Sequence, residues 1–243
     1  VWLLAAGHEP GVRVSKREYG PISAPSRTAG TSPLAWNRYD SPGRTTYVAA
    51  DEVTAFTEVL GAYSRPMGAI DSQLERDAVA VGMTLSEYRR SLATDETERP
   101  LLASGYLPER WRETRSIHAV VFPVDAWLID IEHAWTLRHI RTECADDIVR
   151  LGYSDLTNGA LRGEDRRLTT TVATYLRDLE LDTGTRAAGL QYGSKRTGAW
   201  SRAIWLGDGS DDGQYLQVTG GDEIRPTRPA FREALNLLEI SPF

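Results

Sequence analysis

The chain has little that would let it form a disulfide or cross a membrane. Cys144 is the only cysteine in 243 residues, so no disulfide can form within the chain, which fits a reducing compartment. No apolar run approaches the roughly 18 residues that a membrane-spanning helix needs. The first residues are apolar but lack a basic leader and a cleavage pattern. We therefore expect a soluble, cytoplasmic protein with no membrane partner.

Sequence signals for nucleic-acid and nucleotide binding are also missing. The formal net charge is -6, whereas a general nucleic-acid binder presents a basic surface. We therefore expect no direct nucleic-acid partner. The chain contains no GxGxxG after a predicted strand, no Walker loop and no GxSxG elbow. Side-chain cations would have to do more of the work in binding any phosphate.

No metal site is expected. His133 and His139 are six residues apart on a predicted helix, so they face different ways at about 100° per residue. Cys144 has no second cysteine to share a zinc ion with. Residues 208–213 resemble the first half of a calcium loop, but the twelfth position is Thr219 instead of a bidentate glutamate. We interpret this segment as a solvated hairpin turn.

Strand and helix patterns follow one another without a regular βαβ rhythm. Residues 44–60 are predicted to be a strand that turns into a helix, and 117–131 two β segments broken by a proline. Residues 187–207 have the pattern of a strand, a loop and a strand. Amphipathic helices are predicted over 163–181 and from about Arg228. This mixture favours an α+β fold over a doubly wound sheet.

A long loop precedes the first predicted helix. Residues 20–43 are rich in Gly, Pro and Ser, which is typical of loops. A loop of this length in a compact domain is usually functional or disordered. Tyr19, Trp36 and Tyr39 lie in or beside it and argue against disorder. We therefore expect an ordered loop with a role in function.

Glu58 stands out within the helix predicted after Tyr47, which it follows by eleven residues. The buried stripe of this helix is predicted to consist of Ala55, Phe56, Val59, Leu60 and Tyr63. At about 100° per residue, Glu58 lies roughly 60° outside the edge of that stripe. Geometry alone thus leaves two interpretations open: a half-exposed surface glutamate, or a carboxylate directed into a cleft.

Four motifs occur in order along most of the chain. They are VRV (12–14), WNRYDSPG (36–43), RTTYVAADEVTAFTEVL (44–60) and GLQYGS (189–194). This series resembles the RES domain family, whose members are NAD-degrading toxins of bacterial toxin–antitoxin pairs. The resemblance implies an ADP-ribosyltransferase-like α+β fold, in which mixed β-sheets form a cleft surrounded by helices.

The resemblance implies that Glu58, Arg13 and Ser194 are catalytic. Breaking the nicotinamide–ribose bond places positive charge on the sugar, and a nearby carboxylate such as Glu58 can stabilise that charge. Ser194 can hydrogen-bond a ribose hydroxyl or the carboxamide. Arg13 lies in a predicted strand and matches the arginine that members of the family carry early in the chain. Arg17, which enters a Gly-Pro loop, competes for that assignment.

The resemblance also places Arg38, Tyr39 and Tyr47 in the NAD-binding site. The planar guanidinium of arginine matches phosphate oxygens, so Arg13 and Arg38 are the candidates for the pyrophosphate contact. The ring of Tyr47 offers a flat face on which nicotinamide can stack. The alternative for Tyr39 is packing in the core.

We therefore expect a single RES-like catalytic domain over residues 1–243, with a helical insertion around 64–115, that cleaves NAD as its substrate and needs no cofactor. Acting as a toxin, it would deplete NAD and have a helix-turn-helix antitoxin as partner, and it could form a homo-oligomer. The alternatives are an ADP-ribosyltransferase that modifies a protein, nucleic acid or small molecule, an inactive NAD-binding module, and a biosynthetic enzyme. Water, phosphate and a side chain all stay open as acceptors of the ADP-ribose.

Overall fold

The described part of the chain folds around one mixed β-sheet. The computed structural model describes residues 1–7, 9–22, 24–64, 70–94, 105–123, 125–207 and 216–242. Within these ranges a nine-stranded sheet is flanked by helices, and two further short strands pair separately. The chain therefore has the predicted α+β fold. Residues 208–213, which are predicted to form a solvated hairpin turn, lie outside the described residues.

The strands confirm the main β segments predicted from the sequence. Their bounds are β1 Leu3–Ala5, β2 Gly11–Lys16, β3 Ser26–Arg27, β4 Gly43–Ala49, β5 Tyr106–Leu107, β6 Arg115–Val121, β7 Trp127–Asp130, β8 Gly189–Gly193, β9 Trp200–Leu206, β10 Gln217–Glu223 and β11 Ser241–Pro242. The sheet has the order β1-β7-β8-β9-β4-β2-β6-β10, with β3 beside β4. All its pairs are antiparallel except β7 with β8.

The helices predicted after Tyr47, over 163–181 and from about Arg228 are present with ends that differ by a few residues, and the structure adds short helices that were not predicted. Their bounds are α1 Glu52–Leu60, α2 Ile70–Ala80, α3 Leu85–Thr94, α4 Glu109–Glu113, α5 Ala134–Glu143, α6 Ala145–Arg150, α7 Asn158–Leu161, α8 Arg166–Asp178 and α9 Pro229–Leu237. Short 3-10 turns occupy Arg17–Tyr19, Pro33–Ala35 and Gly61–Tyr63. A membrane crossing would need a longer and more apolar helix than any found in the described ranges.

Polar side chains fix where two of these helices begin. Asp51 caps α1 by accepting a hydrogen bond from the Thr54 amide at 2.7 Å. Thr84 and Glu87 form a reciprocal capping box before α3, since each accepts from the backbone amide of the other. The cap on α1 sets where the helix begins after β4, and hence the direction of its later residues.

The core on one face of the sheet has two parts, and β4 contributes to both. Tyr47 packs against a cluster between the sheet and helices α5, α6 and α8, and Ala49 belongs to a second cluster under α1 and α9. The two side chains share a face because they are two residues apart on one strand. Phe56 of α1 and Phe231 of α9 contact each other, with ring centroids 5.2 Å apart.

The buried face of α1 differs from the predicted stripe. The prediction is wrong for Val59, which is 37% exposed. Thr54 and Thr57 are instead fully buried. Thr54 is covered because its hydroxyl hydrogen-bonds that of Thr197 in the β8–β9 turn at 3.0 Å, and the Thr57 hydroxyl donates back to the helix. The covered surface of α1 therefore extends toward the β8–β9 turn, the side on which Glu58 lies.

Truncation of a core leucine on α8 tests this packing. Leu176 is fully buried, so Leu176→Ala should lower the free energy of unfolding by about 2–5 kcal/mol through lost burial and a residual cavity. The matched control is Leu237→Ala on α9, where the side chain is 58% exposed and the loss should be about 0.5 kcal/mol or less. Urea denaturation measures both changes, and equal losses would contradict this account of the core.

Candidate active site

Two of the predicted catalytic residues, Glu58 and Ser194, are in direct contact. The Ser194 hydroxyl donates to Oε1 of Glu58 at 2.6 Å, a distance typical of a hydroxyl bound to a carboxylate. Ser194 is only 2% exposed, whereas Glu58 is an exposed residue of α1. The fold thus fixes one carboxylate oxygen from the protein side while the residue stays at the surface. Glu58 is thus a surface carboxylate held by a buried serine, and its catalytic role stays a prediction.

The turn between β8 and β9 holds the Ser194 hydroxyl in place. The Ser194 oxygen accepts from the amides of Arg196 and Thr197 at 3.3 and 3.4 Å. The amide of Ser194 donates to Ala199 at 2.8 Å, and that of Gly198 donates to the Ser194 carbonyl at 3.0 Å. Gly198 has φ +77°, a conformation that favours glycine. With its oxygen engaged by two amides, the hydroxyl directs its own proton to Glu58.

Two further contacts attach this turn to α1. The hydroxyls of Thr54 and Thr197 lie 3.0 Å apart, and Nη2 of Arg196 donates to the Gly61 carbonyl at 3.2 Å. A Cβ at position 61 would lie 2.7 Å from that Nη2, so glycine permits the approach. Thr54 and Glu58 are one turn apart on α1, and Gly61 directly follows the helix. The turn therefore contacts the helix at three points, and Glu58 is the middle one.

The charges of Glu58 and Arg38 both influence Tyr192. It lies two residues before Ser194 on β8 and is 6% exposed. Burial, and then the negative charge of Glu58, raise the pKa of the Tyr192 phenol far above its usual value, while the Arg38 guanidinium opposes that shift. The Arg38 guanidinium lies 5.8 Å from the centre of the Tyr192 ring. A carboxylate and a guanidinium thus act on the same buried phenol.

Arg38 carries donors that no described residue satisfies. Its Nε and Nη1 atoms are buried and have no hydrogen-bond partner in the described part of the chain. The guanidinium instead packs near the rings of Tyr39 and Tyr192, at 6.0 and 5.8 Å. A buried donor without an acceptor costs about 1–3 kcal/mol and calls for an explanation. An anionic ligand would supply the missing acceptors.

The predicted ordered loop is organised around Asp40, which is 2% exposed. Its Oδ1 accepts from the Tyr47 hydroxyl at 2.7 Å, and its Oδ2 accepts from Nε of Arg27 at 2.8 Å and the amide of Asn37 at 3.0 Å. The Tyr39 amide donates to the Tyr47 hydroxyl at 3.3 Å. Burial, and then the charge of Asp40, raise the pKa of Tyr47 well above its usual value, so the phenol remains a donor at neutral pH.

Tyr39 has the environment of a packing residue. It is fully buried, and its hydroxyl donates to the Leu161 carbonyl at 2.9 Å. Its ring centroid lies 4.6 Å from that of Tyr192. These contacts fit the packing alternative. Tyr39 has no exposed surface with which to make the predicted contact with NAD.

Arg13 and Arg17 lie in different environments. Arg13 is in β2, where Nε donates to Pro21 at 2.7 Å and Nη1 to the Tyr47 carbonyl at 2.8 Å. Burial lowers the pKa of Arg13 to about 10, so it stays charged at neutral pH. Arg17 is exposed in a 3-10 turn and donates to the Arg115 carbonyl at 3.1 Å. Arg13 therefore joins β4 to the start of the 20–43 loop, and its catalytic assignment stays a prediction.

Ion pairs missed by the sequence analysis surround the turn. Arg162 binds Glu132 through two hydrogen bonds of 2.7 and 2.6 Å. A Cβ on Gly193 would lie 2.7 Å from Nη2 of Arg162, so the glycine before Ser194 permits this pair to approach β8. Lys195 pairs with Glu164 on the other side of the turn. No sequence spacing connects these partners, since they are about 30 residues apart in the chain.

Comparison with known proteins gives one distant structural likeness. No family model matches the chain, and no curated protein matches it. The chain is similar to a chain in the crystal structure of the M. tuberculosis MbcT–MbcA toxin–antitoxin complex, with 15% identity over 94% of this chain and 89% of that one, at a TM-score of 0.43. A likeness at this level carries no argument about activity, which has to come from the side chains.

Removing the Ser194 hydroxyl tests how the β8–β9 turn is held. Ser194→Ala deletes the acceptor for the Arg196 and Thr197 amides as well as the donor to Glu58. Each lost bond is worth about 1 kcal/mol, so both amides should exchange with deuterium several times faster. Ser154→Ala at an exposed position is the control. Unchanged exchange at residues 196 and 197 would show that the hydroxyl does not hold the turn.

Proposed function

We propose that this chain binds NAD and breaks its nicotinamide–ribose bond. The observation that carries the proposal is the occurrence in one fold of a surface carboxylate held by a serine, Glu58, and an arginine, Arg38, whose buried Nε and Nη1 have no hydrogen-bond partner among the described residues. These are the groups that cleavage of a dinucleotide at the sugar requires: a negative charge for the sugar and a fixed cation for the pyrophosphate. The sequence resemblance to the RES family points to the same reaction.

Glu58 would stabilise the sugar as the bond breaks. The ribose gains positive charge in an oxocarbenium-like transition state, and a pre-organised carboxylate stabilises that charge without having to reorganise. The bond from Ser194 holds one carboxylate oxygen and leaves the other for the substrate. Nicotinamide departs as a neutral molecule, so no general acid is needed to assist it.

Arg38 would bind the pyrophosphate. Its Nε and Nη1 atoms have no partner among the described residues. They lie on different edges of the planar guanidinium, so each can donate one hydrogen bond to a different oxygen of a diphosphate. The described residues give these two donors no acceptor, and the oxygens of a diphosphate would satisfy both. Part of the binding free energy would thus come from giving acceptors to donors that are buried without them in the free protein.

The Glu58→Gln variant tests the proposed chemistry. The amide keeps the size of the side chain and an acceptor for Ser194 but loses the charge, so kcat for NAD cleavage should fall by about 10²-fold or more. Binding of NAD should persist, because the charge acts chiefly in the transition state. Incubation of purified protein with NAD and identification of the products by mass measure the rate and also reveal the acceptor of the ADP-ribose.

The control for that experiment is Glu143→Gln, the same change at an exposed position of α5, which should leave kcat unchanged. Melting curves should show both variants folded. Full activity of a folded Glu58→Gln protein would remove Glu58 from the mechanism. Absence of any NAD product from the unaltered protein would refute the proposed cleavage.

In the cell, this activity would make the protein a toxin. The RES resemblance motivates this proposal, together with a helix-turn-helix antitoxin as its neutralising partner. Expression without that partner should lower cellular NAD and arrest growth, whereas expression of Glu58→Gln should do neither. Unchanged NAD in cells that contain soluble, unaltered protein would contradict the toxin role.

A further inference from the structure

The hydroxyl of Tyr47 is engaged within the protein. It donates to Oδ1 of Asp40 at 2.7 Å and accepts from the Tyr39 amide at 3.3 Å. The ring packs against the core cluster that contains Tyr39 and Tyr192. Stacking on a ligand needs only the aromatic ring, which phenylalanine also has. The two hydrogen bonds of the Tyr47 hydroxyl would contribute nothing to such a role.

Both bonds hold the residues that directly follow Arg38. The Tyr39 amide is the first donor group after it in the chain, and Asp40 is the next residue. Asp40 is in turn fixed from its other oxygen by Arg27 at 2.8 Å. Among the described residues, none hydrogen-bonds Nε or Nη1 of the Arg38 side chain. Its direction is therefore set by the backbone of this segment and by the two tyrosine rings it packs against.

We propose that Tyr47 and Asp40 are positioning residues: the Tyr47 hydroxyl acts through Asp40 and the Tyr39 amide to hold the Arg38 guanidinium where it binds the diphosphate of the substrate. The inference rests on the proposed function and deepens it. It replaces stacking on nicotinamide as the role of Tyr47. Since Asp40 is buried and paired with Arg27, the loss of the phenol would leave Oδ1 without its donor and loosen the segment.

The test is Tyr47→Phe, with affinity for NAD and for ADP measured by calorimetry. ADP contains the diphosphate but no nicotinamide. If Tyr47 positions Arg38, the variant should bind both ligands about tenfold more weakly, the scale of one lost hydrogen bond to a charged group. Its KM for NAD should rise while kcat is retained, since Glu58 is untouched. If Tyr47 stacks on nicotinamide, phenylalanine preserves binding of both ligands, and that result overturns the proposal.

A double-mutant cycle with Arg38→Ala separates positioning from general loosening. If Tyr47 acts through Arg38, Tyr47→Phe should have little further effect on ADP affinity once Arg38 is alanine. Full additivity of the two changes would overturn the proposal. Arg27→Gln, which releases Asp40 from its other side, should behave like Tyr47→Phe and serves in its place if that variant unfolds.

The matched control is Tyr175→Phe, which removes a phenol bonded to Nε2 of His139 at 2.8 Å on helices α8 and α5. It should leave affinity for ADP and NAD unchanged. Failure of the inference is distinguishable from failure of the proposed function. If the unaltered protein binds neither ligand, both are refuted. If it binds and cleaves NAD but Tyr47→Phe is indistinguishable from it, only the positioning role is refuted.

Discussion

The hydrogen bond between Ser194 and Glu58 is the interaction on which the proposed site depends. It joins a turn late in the chain to the first helix, across 136 residues of sequence. A surface glutamate on an isolated helix samples many rotamers, and freezing one of them costs free energy. Here the serine, itself held by two amides of the turn, fixes the carboxylate before any substrate arrives. Pre-organisation of this kind is what an electrostatic catalyst requires.

The second constraint is the Arg38 side chain, whose donors the rest of the described protein does not fully satisfy. Two nitrogen atoms of Arg38 are buried without an acceptor in the described ranges, whereas Asp40 nearby is saturated with donors from Tyr47, Arg27 and Asn37. The loop thus satisfies its anion internally but leaves two donors of its cation unsatisfied, and we propose that a ligand satisfies them. Such an imbalance lowers the stability of the free protein and favours the bound one.

Sequence patterns were sufficient for the fold class and the main strands and helices, and the family resemblance named Glu58 and Ser194, whose catalytic roles stay predictions. Hydrophobic periodicity and turn residues are local signals, so they predict local structure well. The same signals failed at Val59, because the burial of Thr54 comes from Thr197, which no helical wheel includes. The role of Asp40 was equally hidden. It stands beside Arg38 in the motif, but its partners come from β4 and an earlier part of the loop, and only the fold brings them together.

The account predicts one arrangement that a structure can test directly. A crystal structure of the Glu58→Gln protein with NAD should place a diphosphate oxygen within hydrogen-bond distance of Arg38 Nε or Nη1, and the nicotinamide ribose beside residue 58 and Ser194. Because cleavage should be slow in this variant, the dinucleotide should stay intact during the measurement. NAD bound elsewhere, or bound with Arg38 still lacking an acceptor, would contradict the central claim that the serine-fixed carboxylate and the buried guanidinium form one substrate site.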